Sequence, residues 1–232
     1  MKSFMYFELS FFKQKLSSIF YSFYLKFKYK TVNFHHGSAL NNHSLFEGNN
    51  SIGIKSEVLN STLGFGSYVG NFCLLNNVKI GRYCSIGSSV RIIFGKHPTN
   101  IFVSTHPAFF SKSKPTFFTY ISTQKFKEID VSCNDFAVEI GNDVWMGENV
   151  SIMSGIKIGD GAIVGSNALV TKNIEPYTIN IGIPSQSIKK RFTNEQIIFL
   201  LNYKWWNKDL EWIKNNAELF DDIEKFKSEV QK

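Results

Sequence analysis

The feature that most constrains this chain is a repeat of six residues in its second half. From Ile140 to Val170 an aliphatic residue recurs at every sixth position, and in most cases glycine follows it directly. A period of six matches neither a helical turn nor a simple alternating strand, but it suits a short strand followed by a turn. We therefore expect an all-β solenoid in which three such units form one triangular coil. The dipeptides in phase are Ile140-Gly141, Met146-Gly147, Ile158-Gly159 and Val164-Gly165, and Ile152 and Val170 keep the phase without glycine.

The same repeat occurs in an earlier block, where it slips by one residue between Val58 and Leu63 and again between Leu75 and Ile80. A corner of slightly different length would produce such slips. The repeating aliphatic side chain is predicted to point into the prism, where the coils above and below cover it, and the glycine is predicted to relieve the backbone at the bend. The dipeptides of this block are Ile52-Gly53, Leu63-Gly64, Val69-Gly70, Ile80-Gly81 and Ile86-Gly87.

The repeat stops between Ile92 and Ile140, and we predict a long inserted loop at about residues 93–139. This segment is rich in Phe, Ser, Lys and Thr, and it contains three of the five prolines of the chain, Pro98, Pro107 and Pro115. Its aromatic residues and two histidines argue against a disordered linker. The insertion is therefore the first place to look for function.

Helical segments are predicted at both ends of the solenoid. Residues 1–30 combine aromatic residues near one face with lysines elsewhere, which predicts an amphipathic helix. Residues 177–183 are predicted to form a closing strand, and Thr193 is a candidate cap for the first of two or three helices that would cover the open end of the prism. The predicted domains are thus a helix at 1–30, a β-solenoid at 31–192 and a helical segment at 193–232.

Composition bounds the remaining classes of protein. The 232 residues include 43% hydrophobic and 19% charged residues, as in globular proteins. Glu8, Lys13 and Lys15 interrupt the Phe-rich N-terminus, so neither a transmembrane helix nor a signal peptide is predicted, and a cytoplasmic location is expected. Three cysteines without CxxC spacing predict buried thiols and no metal site. The net charge of +7 suits nucleic acid, an anionic membrane or a polyphosphate ligand and does not choose among them.

Two histidines in the inserted segment could act in proton transfer. Histidine titrates near neutrality and is the usual group for removing a proton from a hydroxyl that attacks a thioester. His97 stands in the string Gly-Lys-His-Pro, which resembles the active-site stretch of galactoside and maltose acetyltransferases. The stretch from Val103 to Pro107 resembles the one that follows the catalytic histidine in type B chloramphenicol and streptogramin acetyltransferases. Both resemblances assign the role of general base to His97.

The segment from Ile140 to Val150, which reads Ile-Gly-Asn-Asp-Val-Trp-Met-Gly-Glu-Asn-Val, carries the most specific resemblance. Through it the chain is similar to the hexapeptide-repeat acyltransferases, over about residues 46–206. The resemblance implies a left-handed parallel β-helix, although the usual crossover is right-handed. It also implies acetyl-coenzyme A as co-substrate, no metal, and a homotrimer that holds the coenzyme in clefts between neighbouring prisms.

The same resemblance assigns residues to the coenzyme. It implies that Trp145 walls the site and that a backbone N–H at Gly147 or Glu148 faces the thioester, where it could stabilise the developing oxyanion. Basic side chains near the end of the solenoid would meet the coenzyme phosphates. The further positions assigned to the coenzyme are Ser166, Thr171, Lys172, Lys189, Lys190 and Arg191.

The acceptor pocket is predicted from polar residues near the insertion. Asn71, Asn76 and Asn77 precede it by one coil, and each amide offers a donor and an acceptor suited to vicinal hydroxyls. His106 stands where the family commonly has an aromatic residue and adds another polar group. We therefore expect O-acetylation of a sugar in a bacterial surface polysaccharide or its precursor. The alternatives are an antibiotic of the chloramphenicol or streptogramin type, the amine of a nucleotide sugar, a zinc-dependent carbonic anhydrase on the same fold, or a non-catalytic binding solenoid.

The N-terminal segment at 1–30 lies outside the resemblance. Its Phe, Tyr and Lys in amphipathic register would suit an interfacial helix on an anionic membrane, and they would equally suit packing against the trimer. The first arrangement would bring the enzyme to lipid-linked glycans at the inner face of the membrane. No nucleic-acid partner is expected.

Overall fold

The computed structural model describes residues 24–25, 27–115, 117–132 and 134–231. Its short strands form three sheets, which we number in the order in which each coil crosses them. Sheet I comprises β1 (Asn33–Phe34), β4 (Ser51–Ile52), β7 (Tyr68–Val69), β10 (Ser85–Ile86), β13 (Trp145–Met146), β16 (Ile163–Val164), β18 (Thr178–Ile181) and β19 (Gln186–Lys190). Sheet II comprises β2 (Ala39–Leu40), β5 (Glu57–Leu59), β8 (Leu74–Asn76), β11 (Arg91–Ile93), β14 (Ser151–Met153) and β17 (Leu169–Val170). Sheet III comprises β3 (Leu45–Phe46), β6 (Thr62–Leu63), β9 (Val78–Ile80), β12 (Val138–Ile140) and β15 (Ile156–Ile158).

Successive coils pair in parallel, so that equivalent residues of the repeat lie side by side. Met146, for example, lies between Ile86 and Val164. Every repeating aliphatic residue named above is 8% exposed or less, because the coils on either side cover it. The predicted parallel β-solenoid is confirmed, and its pairing is consistent with a left-handed β-helix.

The two slips of the repeat fall where the chain passes from sheet II to sheet III, a corner that we call edge II–III. Residues 41–44 connect β2 to β3, but Asn60 and Ser61 alone connect β5 to β6, and Asn77 alone connects β8 to β9. The shortened corners confirm the explanation that the slips suggested. We call the other two corners edge I–II and edge III–I.

The glycine after the repeating residue is required by the close approach of neighbouring coils, which corrects the role at the bend that we predicted for it. A Cβ atom on Gly53 would lie 2.3 Å from the carbonyl oxygen of Gly70 in the next coil. In the described chain, a left-handed backbone at edge I–II falls on other residues, with φ of 53° at Lys55, 59° at Phe72 and 60° at Ser89. The repeat therefore selects glycine for its size more than for its freedom of rotation.

The C-terminal segment forms three α-helices, α1 (Asn194–Tyr203), α2 (Leu210–Asn215) and α3 (Ile223–Val230). Thr193 caps α1 as predicted, since its hydroxyl oxygen accepts the N–H of Gln196 at 3.3 Å, and the Gln196 side chain accepts the N–H of Thr193 in return. The closing strand is present as β18, and β19 folds back antiparallel upon it. The prediction did not include β19.

The helical segment packs along edge III–I rather than over the end of the prism, so that part of the prediction is wrong. The ring of Trp205 lies 5.0 Å from that of Tyr83, and Nη1 of Arg82 donates to the carbonyl oxygen of Trp206 at 3.3 Å. Tyr83 and Arg82 belong to a corner in the middle of the solenoid. Tyr83 and the buried Tyr177, at two corners of this edge, offer the helices apolar surface.

Two of the three cysteines lie in the core, as predicted. Cys73 is 0% and Cys84 1% exposed, and burial raises the pKa of the Cys84 thiol to about 12. Cys133 and nearly all of the predicted helix at 1–30 lie outside the described residues. In the part of the chain that is described, no helix has the length and apolar character that crossing a bilayer demands.

Candidate active site

The inserted loop connects β11 to β12 and leaves the solenoid at edge II–III. Asn77, in the preceding coil, holds the end of this loop through two hydrogen bonds. The carbonyl oxygen of Asn77 accepts the N–H of Ala137 at 2.7 Å, and Nδ2 of Asn77 donates to the carbonyl oxygen of Asp135 at 2.9 Å. Near the start of the loop, Lys96 forms an ion pair of 2.5 Å with Asp130. The end of the loop is thus bonded to the solenoid, and its start is bonded to the last part of the loop.

A small aromatic core orders the loop from within. The ring of Phe110 is 0% exposed, and it lies 6.2 Å from the ring of Phe102 and 5.6 Å from that of Phe126. The ring of His97 packs edge-on against the same Phe110 at 5.5 Å. The candidate general base therefore rests on a buried aromatic side chain, which limits its rotation.

The hydrogen bond of His97 determines which ring nitrogen is basic. Its Nδ1 lies 2.6 Å from the carbonyl oxygen of Thr105. Because a carbonyl oxygen only accepts, Nδ1 carries the hydrogen in the neutral ring and Nε2 holds the lone pair. The residue is exposed, so an acceptor can approach it. A fixed ring with a basic Nε2 is what proton abstraction requires.

His106 has the opposite bonding pattern. Its Nδ1 accepts the N–H of Ala108 at 3.2 Å and caps the short 3₁₀ helix Pro107–Phe109. In the neutral ring the hydrogen is therefore on Nε2, which acts as a donor. The two patterns are compatible with the different roles predicted for His97 and His106.

The three asparagines predicted for the acceptor do not lie together. Asn76 and Asn77 are at edge II–III, one coil before the loop, since β8 pairs with β11. The Oδ1 of Asn76 accepts Nδ2 of Asn60 at 2.9 Å. Asn71 lies on edge I–II, where its Oδ1 accepts the N–H of Ile54 at 2.8 Å and so links two coils.

The residues predicted to face the thioester lie on sheet I and edge I–II. Trp145 is 55% exposed on the outer face of β13. The N–H of Gly147 donates to the carbonyl oxygen of Val164 at 2.8 Å, and the N–H of Glu148 donates to Oγ of Ser166 at 3.2 Å. Both backbone groups therefore already have a partner within the chain, whereas the hydroxyl hydrogen of Ser166 is a further donor at the same edge.

The other predicted coenzyme contacts are spread over the end of the solenoid. Thr171 and Lys172 follow β17 at edge II–III, two coils beyond the loop, because β11 pairs with β14 and β14 with β17. At a strand spacing of about 4.8 Å, this is roughly 10 Å along the edge. Lys189 and Lys190 are exposed on β19, and Nζ of Lys190 donates to Oδ1 of Asn194 at 2.6 Å.

Arg191, predicted to meet a phosphate, is engaged inside the chain. Its Nη1 donates to Oδ2 of Asp143 at 3.1 Å and to the carbonyl oxygen of Gly161 at 2.7 Å, and the guanidinium lies 5.4 Å from the ring of Tyr177. Burial raises the pKa of Asp143, and the charge of Arg191 opposes this rise. These contacts join edge III–I to the C-terminal segment.

The residues that orient His97 were missed in the sequence. Thr105 acts through its carbonyl oxygen, eight residues away along an irregular loop, and no side-chain pattern signals such a contact. Phe110 acts through its buried ring. The aromatic residues of the loop argued against a disordered linker, but they did not indicate which phenylalanine is buried.

Known proteins resemble this chain in sequence. Residues 137–172 match the family model described as Bacterial transferase hexapeptide (six repeats). A chloramphenicol acetyltransferase of Escherichia coli is 43% identical over 137 residues, which make up 58% of this chain and 61% of that protein. A probable macrolide acetyltransferase of Lysinibacillus sphaericus is 40% identical over 157 residues, covering 65% of this chain and 77% of that protein. A putative lipopolysaccharide biosynthesis O-acetyl transferase of Escherichia coli K12 is 31% identical over 119 residues, covering 50% of this chain and 58% of that protein.

Proposed function

Because the chain belongs to the hexapeptide-repeat acetyltransferases, we propose that it transfers the acetyl group of acetyl-coenzyme A to a hydroxyl, with His97 as general base. The observation that carries this proposal is the bond between Nδ1 of His97 and the carbonyl oxygen of Thr105, which leaves Nε2 basic. The exposed position of His97 on an ordered loop supports the same role.

The proposed step is a direct transfer. Nε2 of His97 takes the proton of the acceptor hydroxyl while the oxygen attacks the thioester carbonyl carbon. A carbon–oxygen bond forms, the carbon–sulfur bond breaks, and the departing sulfur receives the proton from the His97 imidazolium. The carbonyl of Thr105 stabilises that imidazolium through Nδ1–H and keeps the ring in place.

We propose that the coenzyme lies between two copies of the chain. Trp145 and Ser166 are on sheet I and edge I–II, whereas His97 and Lys172 belong to edge II–III. A single prism therefore separates the groups that must meet at the thioester, and a neighbouring prism would bring the second edge to the first. The exposed lysines near the end of the solenoid, Lys172 among them, suit the coenzyme phosphates by charge.

This arrangement predicts a homotrimer as the active form. Sedimentation equilibrium should give about three times the chain mass of 26.5 kDa, and activity should be lost on dilution below the association range. A fully active monomer would contradict a site shared between copies.

A sugar hydroxyl of a bacterial surface polysaccharide, or of its precursor, is the acceptor that we propose. The donor Nε2–H of His106 supports an acceptor rich in hydroxyls, and the amides of Asn76 and Asn77, which are partly engaged by bonds to Asn60 and to the loop, lie at the edge beside it. The chloramphenicol acetyltransferase that is 43% identical supports the second candidate, an antibiotic.

The two acceptors are distinguished by supplying acetyl-coenzyme A with either chloramphenicol or a deacetylated surface polysaccharide and measuring thiol release. We expect acetylation of the glycan. Efficient acetylation of chloramphenicol without acetylation of the glycan would reverse the assignment of the acceptor. If neither acceptor led to thiol release, this would count against the reaction itself.

We also propose a cytoplasmic enzyme that contacts the inner face of the membrane through residues 1–30. At the described end of this segment, Tyr24 is 54% and Phe27 74% exposed, and Lys28 lies beside them. Exposed aromatic and basic side chains together suit an anionic lipid surface.

A further inference from the structure

An exposed group of four rings stands on the inserted loop. We call it the aromatic patch: His106, Phe109, Phe118 and Tyr120. His106 and Phe118 are stacked, with ring centroids 6.1 Å apart and planes at 21°, and Tyr120 lies 5.3 Å from both Phe109 and Phe118. Phe109 and Phe118 are each 45% exposed and Tyr120 is 72% exposed, so the patch presents aromatic surface to solvent.

Backbone hydrogen bonds hold the patch in place. The N–H of Tyr120 donates to the carbonyl oxygen of Ala108 at 2.8 Å, and the hydroxyl of Thr119 donates to the same oxygen at 3.0 Å. Ala108 lies within the short 3₁₀ helix that His106 caps. The two strips of chain that carry the rings are therefore bonded to each other, and the rings are ordered before any ligand arrives.

The patch adjoins the proposed general base. The carbonyl oxygen that orients His97 belongs to Thr105, which is bonded directly to His106. On the other side, Phe110, whose ring supports His97, directly follows Phe109. The patch is therefore carried by the same stretch of the loop that holds His97.

We propose that the aromatic patch is the platform on which a pyranose ring of the acceptor lies during transfer, and this inference rests on the proposed function. A pyranose has an apolar face of C–H groups and a rim of hydroxyls. The first matches the ring of Tyr120, beside which Phe118 stands edge-on with the two planes at 63°, and the second matches the donor Nε2–H of His106. A purely apolar partner would leave that donor without a hydrogen bond, which favours the sugar.

The test compares Phe118→Ala and Tyr120→Ala with Phe117→Ala. Phe117 precedes Phe118 in the same loop and is 96% exposed, so its loss controls for the removal of an exposed ring. With the deacetylated polysaccharide as acceptor, we expect the acceptor KM to rise about tenfold in each patch variant and to stay unchanged in Phe117→Ala. The KM for acetyl-coenzyme A should be unchanged in all three.

The conservative variant Tyr120→Phe should keep the acceptor KM of the native protein, because it retains the ring. If the native protein acetylates the glycan and the patch variants keep its KM, the platform is refuted while the proposed function stands. If the native protein does not acetylate the glycan, the proposed acceptor is refuted, and the platform proposed for its pyranose ring is refuted with it. Dissociation of the oligomer in the patch variants alone would identify the patch as a contact between copies and overturn the inference.

Discussion

Replacing His97 with alanine should lower turnover by about 100- to 10,000-fold, the range expected for the loss of a general base. In the proposed transfer this ring accepts the proton through Nε2 while Thr105 and Phe110 hold it in place, so the substitution removes the base itself. Binding of acetyl-coenzyme A should persist, because His97 is not among the proposed coenzyme contacts. Steady-state kinetics at saturating acceptor, together with calorimetric titration of the coenzyme, would measure both effects.

Two other histidines serve as controls for this result. His43 is an exposed corner residue, and His43→Ala should leave turnover unchanged. His106→Ala should act mainly on the acceptor KM, since the neutral His106 ring presents a donor rather than a base. Near-native turnover in His97→Ala would show that the base is another group. A loss in His106→Ala as large as that predicted for His97→Ala would transfer the role to His106.

The second large effect is expected on stability, at a glycine that faces the next coil. A Cβ atom on Gly81 would lie 2.5 Å from the carbonyl oxygen of Gly141, and a backbone atom in the neighbouring coil does not yield as the end of a flexible side chain does. We expect Gly81→Ala to cost about 3 kcal/mol and to lower Tm by roughly 6–12 °C, as measured by circular dichroism.

Lys55 provides the matched control, because its φ is 53° and its side chain is exposed. Lys55→Gly should change the free energy of unfolding by less than about 1 kcal/mol, since glycine tolerates a left-handed backbone. An unchanged Tm in Gly81→Ala would mean that neighbouring coils can separate locally. The short distance between coils would then not be the reason for glycine at this position.

The solenoid could be predicted from sequence because the six-residue spacing of its aliphatic residues sets the register between coils. Six positions in phase from Ile140 to Val170 require six equivalent environments, and few folds supply them. The slips near Leu63 and Ile80 were informative for the same reason. The packing of the helices along edge III–I was not predictable, because Tyr83 and Tyr177 occupy corner positions where the repeat places no restriction on the side chain.

The site was predictable only where a side chain itself performs the chemistry. His97 could be proposed from the string around it, but its orientation depends on a backbone carbonyl of Thr105, which any residue type would supply. Arg191 illustrates the converse. Its basic neighbours suggested a phosphate contact, yet the half-buried Asp143 in another coil lies 3.1 Å away, and the charge pattern along the chain does not reveal such a partner.

The course of the C-terminal helices along edge III–I bears on how the molecule comes apart. A stack of coils held by nearest-neighbour contacts alone can unravel from either end, one coil at a time. Here the ring of Trp205 packs against Tyr83 in the middle of the stack, and Arg191 donates a hydrogen bond to Asp143 one coil further on. The last coils therefore should not unfold one at a time, because their unfolding also breaks the contacts of the C-terminal helices with the earlier coils. We therefore expect the C-terminal half to unfold as one cooperative block and fraying to start at the opposite end.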